Sequence, residues 1–239
     1  MDDNQIFQKY ITTQYGKIHD FDSELKTVRR LYRRNFLPLM SKDRGVKILD
    51  LGCGMGHLLY FLEQEGYKNY LGVDVSQETI EFCQKRGFKV VQQSIAEYLK
   101  QSTETFDHIF MIDVLEHITI DEAVDILKMA HEHLKPGGNM IVIVPNAANP
   151  IVGTAGIYND ITHKFGYTQL SLPQIFSVAG FSKIRILPQD IYIYSYNPFN
   201  YLAMAAAFCI NQIFRLLYLL YGKQWISIFS KSLIGVGEK

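Results

Sequence analysis

Residues Ile48–Phe61 read ILDLGCGMGHLLYF: a short apolar run, a turn with glycine at every second position, then an apolar segment at helical spacing. Glycines at 52, 54 and 56 permit positive φ and let a ligand lie against bare backbone. The helix opening behind the turn adds unpaired N–H groups at the same spot. Such a turn alone would also suit a dinucleotide or a purely structural bend. Two acids narrow the choice. Asp50 stands in the strand just before the glycines, where a carboxylate repels a pyrophosphate but accepts bonds from a cationic amino-acid moiety. Asp74 ends the next apolar run, NYLGVDV, where an acid can hold ribose hydroxyls. Together they favour an aminoacyl nucleoside over a dinucleotide.

Outward from this stretch, short apolar runs alternate with amphipathic segments. VKILDL, NYLGVDV, FKVVQQ, FDHIFMID and Asn139–Val144 read as strands. Gly56–Gln64, Gln77–Arg86, Ala96–Leu99 and Asp121–Leu134 read as helices. Strands spaced by helices predict an α/β fold with a doubly wound sheet. The runs KIL, YLGV, HIFMI and MIVIV match strands covered on both faces. Upstream, Leu25, Val28, Leu31, Tyr32 and Phe36 recur at helical spacing with Arg29, Arg30, Arg33 and Arg34 between them. Residues 1–44 are therefore expected to form an N-terminal helical cap, broken near Pro38. Residues 45–190 form the core. Within it, 146–168 reads as one long irregular loop of the functional kind, followed by a helix (Leu172–Ala179) and a strand (Phe181–Leu187). Residues 191–239 read as an apolar helical insertion and a final strand, SLIGVGEK.

The 239 residues carry 24 positive and 24 negative side chains, so no global field points to nucleic acid. Cys53, Cys83 and Cys209 are too scattered for a disulfide framework or a zinc set, which fits a reducing, cytoplasmic setting. The polar start, MDDNQIFQKY, does not read as a secretory signal. Tyr201–Tyr221 is apolar except for Asn211, Gln212 and Arg215. Packing on the sheet and homodimerisation are expected ahead of weak membrane contact through 200–230, since basic flanks are few. Membrane contact would make the protein membrane-peripheral.

DLGCGMG, GVDVS, FDHIFMIDVLEHI and LKPGGNMIVIVPN, in this order over about 46–146, resemble the class I S-adenosylmethionine-dependent methyltransferases. The resemblance implies a Rossmann-like sheet of seven strands, six parallel and one antiparallel, with the helical insertion before the last strand. It also implies S-adenosylmethionine as cofactor and S-adenosylhomocysteine as product. Asp50, Gly52, Cys53, Gly54 and Gly56 would line the methionine moiety, Asp74 the ribose, and Val75, Ser94 and Ile95 the adenine. Many relatives carry an acid where this chain has Ser94. Asp113 would sit where cofactor and acceptor meet. Cys53 reads as a packing residue, because nothing basic neighbours it.

In an open α/β sheet the acceptor also collects at the C-terminal strand ends. Tyr158, Asn159 and Thr162 are the expected acceptor contacts, with His163 as general base and Asp160 orienting it. Glu116 and His117 are read as pocket packing, Glu116 toward the acceptor, rather than as metal ligands; no metal is expected. Arg30 and Arg33, with Tyr10, Tyr15 and His19, would form a lid over an anionic acceptor group. NDITHKF followed by LSLPQIFSVAGF also resembles methyltransferases of bacterial surface-glycan synthesis. The expected reaction is methyl transfer to a hydroxyl of a small polar acceptor, a carbohydrate or sugar/phosphate-linked metabolite. An amine acceptor, a quinone or lipid acceptor, and a non-catalytic nucleoside-binding protein are the alternatives, in that order.

Overall fold

The computed structural model describes residues 21–191, 198–222 and 225–239. Ile48–Leu51 forms β1, which is buried along its whole length. It pairs in parallel with β2 (Tyr70–Asp74) on one side and β4 (Phe106–Ile112) on the other. β3 (Val90–Gln92) and β5 (Leu134–Pro145) extend the parallel set outward. The final strand, β7 (Ser232–Glu238), inserts antiparallel between β5 and β6 (Ser182–Pro188). The order is β3-β2-β1-β4-β5-β7-β6, with six strands running one way and β7 the other. This is the mixed sheet expected from the sequence.

Continuous apolar runs form these strands because both sheet faces are covered. Ile109, Met111, Met140 and Val142 pack into one core cluster, while the alternating Phe110, Ile141 and Ile143 pack into the other. Among the described residues the α-helices are α1 (Phe21–Asn35), α2 (His57–Gln64), α3 (Gln77–Lys85), α4 (Ile95–Gln101), α5 (Ile120–Glu132), α6 (Gly153–Tyr158), α7 (Ser171–Val178) and α8 (Pro198–Leu220). Their starts follow local chemistry: Ser76 caps α3, Ser94 caps α4, and Thr119 with Glu122 closes a capping box on α5.

The stretch after Pro145 is less irregular than its sequence predicts. It contains α6, entered where the Asn149 side chain accepts from the Ile151 and Val152 N–H groups. Asn146 and Asn149 also donate to backbone carbonyls at 228–230, stitching the loop to the approach of β7. Two glycines in a six-residue helix hide its periodicity from the sequence.

α8 does not pack on the sheet: none of its residues is buried. Its C-terminal half is tacked down, with the Phe214 and Tyr218 rings against Phe229 and the Tyr218 hydroxyl donating to the Ala148 carbonyl at 3.1 Å. The expected self-burial fails because the sheet's faces are already filled by other elements.

Candidate functional site

A cavity of about 880 Å³ opens at the C-terminal ends of β1, β2 and β4. Its floor is the turn after β1. Gly52 and Cys53 donate their N–H groups to the Val73 carbonyl, which pulls the turn across the end of β2. Gly52 has φ +80°, and a Cβ there would lie 2.5 Å from Val114 Cγ2, so only glycine fits. Gly54, at φ +48°, has open space where a Cβ would stand and presents bare backbone there. Gly56 is absent from the cavity wall. It starts α2 in a left-handed conformation and packs against Phe88 and Cys83.

Asp50, Cys53, Asp74, Val75, Ser94, Ile95 and Asp113 all line this cavity, as do Gly52 and Gly54. Asp50 is buried, and burial, aided by the charge of Asp74, pushes its carboxyl up to about 8. A neutral acid held here gains a partner when a cationic group arrives. Asp74 accepts from Gly54 N–H at 2.9 Å, Ser76 N–H at 2.9 Å and Thr79 Oγ1 at 3.1 Å. It thereby clamps the glycine turn, and a carboxylate's remaining lone pairs can still take ribose hydroxyls. Asp74→Ala is expected to weaken S-adenosylmethionine binding at least thirtyfold, since it removes three hydrogen bonds to a charged group at about 1.5–3 kcal/mol each before relaxation. Calorimetric titration checks this. A loss below threefold would mean the turn holds itself.

Ser94 Oγ accepts from Glu97 N–H and donates to Glu97 Oε2, so its hydroxyl caps α4 rather than pointing free to a base. The S-x-x-E spacing already carried that signal. Cys53 is buried, and its thiol is held well above the usual range by its hydrogen bond with Cys83 and by burial, which makes it inert.

The lid differs from expectation. Val28 and Tyr32, four residues apart on one face of α1, line the cavity. Arg30 and Arg33 do not: both are exposed, and Arg29 and Arg33 turn toward Glu65, at 2.9 and 3.7 Å. The apolar face of α1 takes the cavity and leaves the arginines outside. Tyr10, Tyr15 and His19 lie outside the described residues.

On the acceptor side, Asp113 directly follows β4 with φ +52°, a left-handed conformation uncommon outside glycine. A 3-10 turn, Leu115–His117, follows, and Lys164 N–H donates to the Glu116 carbonyl at 2.7 Å, drawing the 159–165 loop onto it. Asp160 Oδ1 accepts from Thr162 N–H at 2.9 Å and from Thr162 Oγ1 at 2.6 Å. Because that hydroxyl proton goes to Asp160, Thr162 Oγ1 must accept from His117 Nδ1, at 2.7 Å. His163 Nδ1 donates to the Ile157 carbonyl at 3.1 Å, and its ring meets that of His117 at 4.5 Å between centroids. Asp160 thus orients His117 through Thr162, whereas the sequence had paired it with His163. His117 and Lys164 line the cavity; His163, Asp160, Thr162 and Glu116 are not among its lining residues, and Tyr158 and Asn159 are exposed on and after α6. The sequence offered no spacing signal for His117, which chain topology alone brings to the loop.

Residues 48–138 match the family described as "Methyltransferase domain". That stretch carries a methyltransferase domain. The acid–glycine geometry of the cavity fits S-adenosylmethionine as the cofactor. Among solved structures, an S-adenosylmethionine-dependent methyltransferase from Archaeoglobus fulgidus superposes with a TM-score of 0.65 at 20% identity, covering 92% of this chain and 100% of that one. Magnesium protoporphyrin IX methyltransferase from Synechocystis PCC 6803, with bound S-adenosylmethionine, gives 0.60 at 15% identity, covering 100% and 98%. Among curated proteins, the ubiquinone biosynthesis O-methyltransferase of Yersinia pestis (strain Pestoides F) is 24% identical over 130 residues, 51% of this chain and 52% of that protein. The matched stretch spans about half the length of that relative.

Proposed function

We propose that this methyltransferase moves the methyl group of S-adenosylmethionine to a hydroxyl oxygen of an acceptor that carries an apolar portion. The observation that carries this is a single cavity running from Asp50 and the glycine turn to Asp113, His117 and Lys164. The donor end and a polar acceptor end therefore share one chamber, as an in-line displacement requires. An apolar acceptor is favoured by α8, whose exposed face includes Phe199, Leu202, Phe208 and Leu220 and whose base is tied to Ala148 just past β5. The Yersinia relative, named for ubiquinone biosynthesis, supports the same direction. The surface-glycan acceptor suggested by NDITHKF gains no support from the relatives named above.

Incubation with S-adenosylmethionine and a panel of isoprenoid-tailed phenols, free and phosphorylated sugars, and amines tests the assignment through S-adenosylhomocysteine release. Release with tailed phenols is the expected result. Turnover confined to sugars or to amines replaces the acceptor class, and tight cofactor binding with no turnover on any acceptor sinks the enzyme.

On this proposal α8 rests on a lipid surface. Leu216→Glu with Leu220→Glu should abolish flotation of the chain with liposomes and leave its melting temperature nearly unchanged, because both side chains are exposed. If the pair instead converts a dimer to a monomer in sedimentation, with no flotation by either form, α8 is a subunit interface.

A further inference from the structure

Behind the acceptor end of the cavity, Glu116, His117 and His163 each bring one ligand atom into a group no more than 4.8 Å across. We propose that these three side chains bind a divalent transition-metal cation, of the Zn²⁺, Co²⁺ or Mn²⁺ class, beside the methyl-transfer cavity.

Glu116 is 1% exposed, and its Oε2 has no hydrogen-bond partner among the described residues. A buried carboxyl oxygen left without a partner is unfavourable, and a bound cation is one of the groups that satisfies it. Both imidazoles are already oriented as metal-ligating histidines are. The Ile157 carbonyl can only accept, so His163 carries its proton on Nδ1; the Thr162–Asp160 chain imposes the same tautomer on His117. In both rings Nε2 is then the ligand nitrogen, and an oxygen behind Nδ1 fixes the ring, the usual outer-shell arrangement. Two imidazoles and one carboxylate favour borderline transition metals over Mg²⁺ or Ca²⁺, which take all-oxygen sets. A tetrahedral ion about 2.1 Å from each ligand needs them about 3.4 Å apart, so the three close in by roughly an ångström. His163, the half-buried member, can make that shift. The cluster leaves at least one coordination position for an outside ligand, as catalytic sites do.

The cation site stands on these side chains alone; only its role rests on the hydroxyl-acceptor assignment above. There, a cation would bind the acceptor oxygen and ease loss of its proton to water. The oxygen then forms the new C–O bond as the methyl C–S bond breaks, the electron pair staying on sulfur.

The experiment titrates the metal-stripped full chain with Co²⁺, followed by visible absorption, then competes with Zn²⁺ and Mg²⁺. Cys209→Ser serves as background, since that thiol is exposed. One equivalent per chain is expected, displaced by Zn²⁺ and not by Mg²⁺ at the same concentration. His163→Ala and Glu116→Gln should each weaken binding more than tenfold, and Thr162→Val about tenfold or more. Zn²⁺ should raise the melting temperature of the parent and not of His163→Ala. No stoichiometric binding, or equal binding by His163→Ala while it retains S-adenosylmethionine affinity, overturns the site. Metal binding without turnover on hydroxyl acceptors would remove the function above and leave the site standing.

Discussion

Gly52→Ala is expected to lower S-adenosylmethionine affinity by a hundredfold or more and to lower the melting temperature as well. Two effects add. At φ +80° an L side chain pays about 1–2 kcal/mol in backbone strain. The new Cβ would also meet Val114 Cγ2 at 2.5 Å, and overpacking of this kind adds about 1–3 kcal/mol. The turn has little room to yield, because Gly52 and Cys53 are bonded to Val73 and Gly54 is bonded to Asp74. Tenfold in affinity corresponds to about 1.4 kcal/mol, so relieving even part of this strain by tilting the turn displaces the cofactor. Adding Val114→Ala should recover part of the loss: it removes the clash and leaves the φ strain. Calorimetry with thermal unfolding on both variants measures this. Wild-type affinity in Gly52→Ala would show that the turn is not the cofactor floor.

S-adenosylmethionine affinity should rise with pH between 6 and 7.5, approaching tenfold per unit, and binding should release a proton. Burial holds the Asp50 carboxyl neutral up to about pH 8 in the free chain. The cofactor's ammonium, charged below its ordinary value of about 7.7–8, favours the ionised form. Binding therefore lowers the carboxyl's pKa, and affinity grows with pH wherever the free chain holds a proton that the complex does not. Folding runs the other way. The unfolded carboxyl ionises near pH 4 while the folded one stays protonated, so this group's contribution to stability falls as pH climbs from about 4 to about 8. Asp50→Asn should flatten the affinity profile and remove the buffer-dependent binding enthalpy. A profile with the same slope in Asp50→Asn would assign the proton elsewhere.

The cofactor half of the site was legible in the sequence because it is local. Asp50, Gly52, Cys53 and Gly54 lie within five consecutive positions, and Asp74 ends the strand paired beside them, with Asp50 opposite Gly72. Strand–turn–helix geometry fixes such residues with no help from the rest of the chain. The acceptor half was not local. Asp160 and His163, three apart, looked like an orienter and its base, yet the Asp160 carboxylate bonds Thr162 and serves His117, forty-three residues upstream of it by number. The arginines of α1 looked like a lid until the helix turned Val28 and Tyr32 inward.

From the ILDLGCGMG stretch outward, the sequence by itself determined the doubly wound sheet and an acid–glycine turn suited to an aminoacyl nucleoside. Both depend on periodicity and on contacts within one turn, which short-range sterics and hydrogen bonding dictate. Only the tertiary structure decided which histidine faces the cavity, that Glu116 is sealed beside two imidazoles, and that α8 is left uncovered. Those outcomes depend on how loops from distant strand ends compete for the same few ångströms of space. Packing of the whole chain settles that competition, and spacing along the chain does not encode it.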